Sequence, residues 1–576
     1  MNIIGINSNY DACKNKIFSG GCALIQDGII KVALAEERIS RKKHEGGFLS
    51  SYNFILDRYG LAPSDIDYFC ISFYGNPLIL EEEIVKLHLK ELGIENTPEK
   101  LIIMPSHHLS HAYAAYFLSP FEEAIIMVAD NEGNLLFPKF KGGKELYNNY
   151  SERNSYYWAR KNNISLIGRD FEEPGSVGFG KAYNKFNRYL GLGNYLSVGK
   201  TMGLSSYGKE KKEYSKIDIW SMDETGRLKS NMDDTNDAYK DVPNFFKKYG
   251  VDIPNDRSDE SESIYDEQYA KDLAFYVQEQ LNKWSIEKAK ILKEKTGINN
   301  ICISGGVALN GIMNRKIEEL GMKVFVPPYP SDPGQALGNA IYAYIEKSEL
   351  NNNVLIEKKS FDGFTYLGPE YTDAEIENEV NEYKEKKNIK VVVPTDVYKF
   401  AAEKLSQGKI LGWFQGKSEY GARALGNRSI IADPRTEEIR DRVNTLKGRE
   451  LFRPIAPSVL KEEAGKYFEY EKDSELVKYM LEVNEVKSKN ANKIKGVVHV
   501  DNTSRIQIVD KKTNEKYYKL IAEFNKITGI PMIINTSFNA AGDPIVENAT
   551  DAINAMIDMH LDGLVCNNMY IELIKE

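Results

Sequence analysis

Ile301-Cys302-Ile303-Ser304-Gly305-Gly306-Val307-Ala308-Leu309-Asn310-Gly311 decides the fold. Its first three residues read as a buried strand, the Gly-Gly pair as a tight turn, and the stretch after Asn310 as a helix. Strand, glycine turn and helix bring backbone N–H groups close to a nucleotide. Asn310 could hydrogen-bond a ribose or base, or cap the helix that follows it. Upstream, Tyr269, Leu273, Tyr276, Val277, Leu281 and Trp284 recur at helical spacing and predict a helix over residues 267–296. At the N-terminus, Ile3 to Ile6, Gly21 to Gln26 and Ile29 to Ala35 read as strands, the last two joined by the Asp27-Gly28 turn. Gly199-Lys200-Thr201-Met202-Gly203-Leu204 reads as a second glycine-bearing turn.

At 576 residues the chain exceeds one hydrophobic core and implies two large domains or three smaller ones. The polar link Asn351-Asn352-Asn353, followed by Glu357-Lys358-Lys359, sets a boundary near 355, giving domains 1–355 and 356–576, with a polar insertion at about 209–265. Hydrophobic residues make up 42% and charged residues 28%, and the formal net charge is −9. That balance argues against nucleic acid and anionic membrane as partners. No stretch approaches the roughly 20 apolar residues that span a bilayer. The first residues lack a basic n-region, and the five cysteines include no C-x-x-C pair. A reducing, cytoplasmic setting is expected.

Three of the seven histidines fall within five residues, in Ser106-His107-His108-Leu109-Ser110-His111. His107 and His111 are one helical turn apart and project from one face, whereas His108 points elsewhere. Ile125 to Asp130 reads as a buried strand ending in an acid, and Asp332 precedes a small-residue helix. Two imidazoles with two carboxylates would form a mixed N/O site suited to Fe(II), Mn(II) or Zn(II). A helix cap and a packed core histidine would account for the same cluster. Seven arginines lie between 423 and 453. Arg423, Arg428 and Arg453 sit among small and apolar residues, so each needs an anion or an internal ion pair. Arg435, Arg440, Arg442 and Arg449 lie among acids and read as salt-bridge partners. His499 to Gln507 alternates like a strand facing a cleft, and Asn535-Thr536-Ser537 follows a strand as phosphate or ribose contacts often do.

Together these motifs resemble the NodU/CmcH family of carbamoyltransferases. The resemblance rests on Ala35 to His44, His107 to Ala112, Gly199 to Gly208, Ser304 to Asn310, Asp332 to Gly338, Gly421 to Arg435, Phe452 to Ser458, His499 to Gln507 and Asn535 to Val546, in family order along nearly the whole chain. It implies an α/β protein with an N-terminal actin/sugar-kinase-like ATP-binding domain and a C-terminal YrdC-like domain. It implies ATP and carbamoyl phosphate as co-substrates, carbamoyl adenylate as the intermediate, and a small-molecule hydroxyl as acceptor. His107, His111, Asp130 and Asp332 would hold a divalent metal, usually iron. Lys200, Gly203, Gly305, Gly306, Asn310, Arg428, Ser429, Thr503, Asn535 and Ser537 would contact nucleotide or anion. Arg423, Arg453 and Arg505 would act on the anionic substrates.

Two departures stand out. The family's hairpin His-Asp pair is replaced by Asn9-Tyr10-Asp11-Ala12, which leaves Asp11 or Tyr10 as the candidate base. An Asp-Gly pair is replaced by Asp130-Asn131, where Asn131 could occupy a left-handed turn. Transfer to nitrogen, or a nucleotide-binding regulatory protein without transfer, are the competing readings. Oligomeric state stays open, a homodimer included.

Overall fold

The computed structural model describes residues 1–9, 18–72, 82–134, 139–141, 144–146, 151–171, 175–254, 263–349, 365–386 and 389–574, so Tyr10 and Asp11 lie outside the described residues. The chain forms two compact units: residues 1–30 with 46–362, and residues 31–45 with 363–576. A single cut near 355 therefore leaves residues 31–45 on the wrong side.

The first unit is built on two five-stranded sheets of matching design. In one, the strand Asn2–Asn7 pairs antiparallel with Gly21–Gln26 and parallel with Tyr68–Ser72, which pairs parallel with Leu101–Ile103. In the other, Glu123–Ala129 pairs antiparallel with Asn154–Arg160 and parallel with Asn300–Ser304, which pairs parallel with Lys323–Phe325. Ile29–Ala35 and Asn163–Asp170 close the hairpin edges. The central strands of both sheets are almost wholly buried, which is why they read as continuous apolar runs. This duplicated mixed sheet is the actin/sugar-kinase-like architecture. The long helix covers Gln268–Thr296 and buries Leu273, Tyr276, Val277 and Leu281 on one side. The insertion contributes the hairpin Trp220–Met222 with Leu228–Ser230 and the helix Ala238–Lys247.

The second unit is an eight-stranded mixed sheet. Its strand order is Ile389–Val392, Met569–Leu573, Gly563–Cys566, Leu411–Phe414, Arg428–Ala432, Met532–Ser537, Ala456–Leu460 and Gln507–Val509. Trp413, Phe414, Tyr517, Phe524 and Ile553 anchor its core, each such side chain contributing about 1.5–3 kcal/mol when fully buried. The segment 31–45 docks on this unit. Ala33 N donates to Leu367 O at 2.9 Å, Arg38 Nε pairs with Glu547 Oε2 at 2.9 Å, and Arg41 Nη1 donates to Ile545 O at 2.7 Å.

Two local expectations fail. His499 to Gln507 is not one strand: Asp501 Oδ1 accepts from Thr503 N and Oγ1, and Asn502 is left-handed at φ 60°, so a side-chain-closed turn overrides the alternation. Gly199 to Leu204 is not a turn but part of the helix Gly199–Ser205, whose Thr201, Gly203 and Leu204 are buried.

Candidate metal centre and anion site

The helix His107–Leu118 starts where its sequence directs. Ser106 Oγ accepts from Leu109 N at 3.1 Å, the Asn134 side chain accepts from His107 N, and Glu152 Oε2 accepts from His108 N at 3.3 Å. One turn apart, His107 and His111 hold their rings 5.1 Å apart, centroid to centroid. Asp130 follows directly on the buried strand Glu123–Ala129, and Asp332 opens the short turn that leads into the helix Gln335–Glu349. Glycines let these elements touch. A Cβ on Gly338 would lie 2.1 Å from Ser110 O, and one on Gly5 would lie 2.0 Å from Ala336 O.

The four side chains meet. His107 Nε2 lies 3.3 Å from Asp332 Oδ1 and 3.6 Å from Asp130 Oδ2, while His111 Nε2 lies 3.2 Å from Asp130 Oδ2 and 3.5 Å from Asp332 Oδ1. One donor atom from each falls within 4.8 Å of the others. Burial alone would lower the His107 pKa, but Asp332 and Asp130 outweigh it and push it up to about 10. His111 is raised for the same reason. Burial would raise the Asp130 carboxyl, yet the neighbouring His107 and His111 rings hold it well below the usual range. Asp130 Oδ2 is buried and lacks hydrogen-bond geometry to any donor. Two nitrogens and two carboxylate oxygens converging on one point, with an orphaned carboxylate oxygen among them, fit a divalent ion.

His108 stands apart, as its helical phase predicts: its Nδ1 lies 2.7 Å from Ser155 Oγ, and burial pushes its pKa down to about 4. Sequence reasoning missed Gln335, whose Nε2 lies 3.0 Å from His107 Nε2 and 3.3 Å from Asp332 Oδ1. Its place three residues after Asp332, at the start of a helix, was the available signal. Asn9 was also missed: its Nδ2 donates to Asp332 Oδ2 at 3.2 Å. Asn131 is not left-handed. Its N–H instead bonds Asp130 Oδ1 at 2.7 Å.

The glycine turn abuts this centre. Gly305 has φ 86°, and a Cβ there would lie 2.2 Å from Ala129 O. Gly306 N donates to Asp130 Oδ1 at 3.3 Å. Asn310 is a helix cap: its Oδ1 accepts from Met313 N at 3.0 Å, and its Nδ2 donates to Gln278 Oε1 at 2.8 Å. Lys200 and Gly203 lie on the helix Gly199–Ser205.

In the second unit, basic side chains gather at the end of the strand Met532–Ser537. Lys447 Nζ donates to Ser537 O and, at 2.6 Å, to Asn539 O. Arg449 Nη1 donates to Thr536 Oγ1 at 3.4 Å. Burial, then Arg453, lowers the Arg423 pKa to about 10; burial, Arg453 and Arg423 lower Arg449 to about 9. Arg505 falls well below its usual range through burial and its three arginine neighbours, and Lys447 through burial, Arg449, Arg453 and Lys43. Glu450, 3.8 Å from Arg453, is the carboxylate paired with the cluster among the described residues. The Nε atoms of Arg423 and Arg505 are buried and unpartnered. Such a concentration of like charge calls for a polyanion.

Several sequence expectations change here. Arg449 belongs to the cluster, not to a salt bridge; Arg435, Arg440 and Arg442 do pair, with Asp433, Asp441 and Asp562. Arg428 is fully enclosed: Nη1 donates to Gln415 O at 2.8 Å, Nε donates to Glu547 O at 3.0 Å, and the guanidinium stacks on Phe414 at 3.8 Å, so its charge is spent on the fold. Ser429 Oγ accepts from Gly426 N, and Thr503 Oγ1 donates to Asp501, both internal roles. Asn535 bridges Ala424 O, Ser458 Oγ and Gln507 Oε1, which fixes the strand beside the cluster. Ser537 lies in the cluster through its carbonyl.

Family models described as carbamoyltransferase N-terminus and carbamoyltransferase C-terminus match residues 76–341 and 402–573. The chain is 31% identical to nodulation protein NolNO of Sinorhizobium fredii over 98% of this chain and 80% of that protein. It is also 31% identical to nodulation protein NolO of Bradyrhizobium diazoefficiens, over 80% and 77%. The uncharacterized protein MJ1051 of Methanocaldococcus jannaschii is 30% identical over the full length of both. Among solved structures, full-length HypF in its phosphate- and nucleotide-bound form is similar at 12% identity and a TM-score of 0.32, over 61% of this chain and 56% of that one.

Proposed function

The chain belongs to the carbamoyltransferase family, and on that premise we propose that it makes carbamoyl adenylate from carbamoyl phosphate and ATP and passes the carbamoyl group to a hydroxyl of a small-molecule acceptor. The observation that carries the reading is the group Arg423, Lys447, Arg449, Arg453 and Arg505, with one paired carboxylate beside it. In the first half-reaction, water cleaves carbamoyl phosphate to carbamate and inorganic phosphate. A carbamate oxygen then attacks the α-phosphorus of ATP, and the bond to pyrophosphate breaks. Both steps bring several negative charges together, and fixed guanidinium groups neutralise them with no reorganisation. Lys447 spends its donors on Ser537 and Asn539 and so fixes the end of the strand beside the arginines.

The second half-reaction is assigned to the first unit. There the acceptor oxygen attacks the carbamoyl carbon and AMP leaves. His107, His111, Asp130 and Asp332 would hold a divalent ion, iron by family resemblance with manganese or zinc as alternatives, which would anchor the adenylate phosphate and polarise the leaving group. Gly305 and Gly306 allow the adenylate to approach the backbone closely. Tyr10 or Asp11, which stand in the sequence where the family has its hairpin histidine, takes the acceptor proton in that histidine's place.

The test is product analysis. AMP and pyrophosphate should form from ATP only when carbamoyl phosphate is present, and Arg505→Met should abolish both. Pyrophosphate release without carbamoyl phosphate, or none with it in the metal-loaded protein, refutes the reading. Mass spectrometry of the acceptor separates transfer to oxygen from transfer to nitrogen.

A further inference from the structure

Gln335 is completely buried at the first position of the helix Gln335–Glu349. The tip of its side chain lies against three of the four candidate donors: Nε2 is 3.0 Å from His107 Nε2, 3.4 Å from His111 Nε2 and 3.3 Å from Asp332 Oδ1. The other end of the amide, Oε1, is buried with no hydrogen-bond partner. Burying a carbonyl oxygen without a partner is unfavourable.

The amide therefore reaches the point on which the four donors converge. An amide –NH2 can only donate, and among these neighbours it donates to Asp332 Oδ1 at 3.3 Å. Amide nitrogen carries no available pair of its own, whereas amide oxygen is a hard neutral donor of the kind that serves divalent ions. A half-turn about the last side-chain bond exchanges the two ends with almost no change of shape.

We propose that Gln335 is the fifth donor of the metal centre, turning Oε1 inward when an ion binds and completing a set of two nitrogens and three oxygens. The inference rests on the reading of His107, His111, Asp130 and Asp332 as metal ligands. Charge explains the residue type. Asp130 and Asp332 already balance a divalent ion, and a neutral fifth donor adds coordination without excess negative charge, whereas a glutamate would favour a trivalent ion. The turn also gives the orphaned oxygen a partner, so the helix start and the ion stabilise each other.

The test uses the full chain, stripped by a chelator and titrated with Co(II), whose visible spectrum reports coordination number. Wild type should bind one Co(II) with the weak bands of a five-coordinate ion. Gln335→Met should bind it about 10–100-fold more weakly and show the stronger bands of four-coordinate Co(II), with an unchanged circular-dichroism spectrum. Gln335→Glu should recover the five-coordinate spectrum and bind at least as tightly as wild type. Should the methionine variant fail to fold, the glutamate variant decides: weaker binding, or a four-coordinate spectrum, overturns the proposal. Wild-type affinity and spectrum in Gln335→Met also overturn it, while leaving the metal centre intact. Failure of wild type to bind Co(II), or undiminished binding in His107→Ala, overturns both readings.

Discussion

Gly306 N–H and Asp130 Oδ1 are 3.3 Å apart, so the glycine turn and the metal cluster share one carboxylate. One oxygen of Asp130 is held by backbone while the other faces the two imidazoles. The turn before Gly306 is equally tight. Gly305, at φ 86° and ψ 167°, lies in a region essentially reserved for glycine.

Gly305→Ala is therefore expected to act on the metal centre without touching a ligand. Its Cβ would meet Ala129 O at 2.2 Å and push on the residue just before Asp130. The combined strain should cost roughly 1–3 kcal/mol of stability and lower metal content measured by elemental analysis. An unchanged melting temperature together with full metal content would contradict this.

Metal binding should release protons. In the ion-free protein the His107 pKa is raised to about 10 and that of His111 is also raised, so near pH 8 His107 is protonated. An ion needs both imidazoles neutral. Calorimetry in buffers of different ionisation enthalpy should show loss of at least the His107 proton per ion near pH 7, with apparent affinity rising as pH rises. In the chelated protein the same groups stabilise the fold fully below pH 6.5, and that contribution fades as pH rises through about 10. Heats of binding independent of buffer would rule the mechanism out.

The cationic cluster should trade stability for binding. Arg505→Met removes a charge disfavoured by burial and by Arg423, Arg449 and Arg453. The ligand-free variant should gain roughly 0.5–2 kcal/mol while losing carbamoyl phosphate-dependent pyrophosphate formation. Wild type, not the variant, should melt at higher temperature in pyrophosphate, because a bound anion stabilises the state that binds it. Scanning calorimetry with and without pyrophosphate reads both effects.

His108 predicts an acid limb of opposite sign to His107. Its folded pKa is lowered to about 4 against 6.5 unfolded. The unfolded chain therefore takes up the proton first, and stability present above pH 6.5 is lost as pH falls towards 4. The loss amounts to roughly 3 kcal/mol. Urea titrations across that range should show it, and His108→Asn should flatten it.

The sequence made the grouping of His107, His111, Asp130 and Asp332 legible because helical spacing fixes which side chains share a face, and because Asp130 and Asp332 each sit at the abrupt end or start of an element. Gln335 stayed hidden because its one signal, a place three residues after Asp332, does not say which way the side chain points, and only packing of its helix against the histidine helix brings it inward. Arg449 was misread for a related reason: Glu450 and Asp441 are close in sequence, yet Arg449 reaches Thr536 Oγ1. Arg428 shows the converse. Small neighbours suggested an anion contact, but they leave room for a guanidinium to be wrapped in carbonyl groups. The matched sheets of the first unit were invisible because a repeat of topology leaves no periodic residues behind.

The second unit is stitched from two distant stretches of sequence, and this sets an order of events at the ribosome. Arg38 and Arg41 emerge some hundreds of residues before the acids and carbonyls that will receive them at Glu547, Ile545 and Asp551. Until those partners are made, Arg38 and Arg41 lack the groups that hold them in the finished fold. A gene fragment starting at residue 363 would lack Arg38, the nearer of the two arginines beside the buried Glu547, and would lose part of the counter-charge that carboxylate has in the full chain.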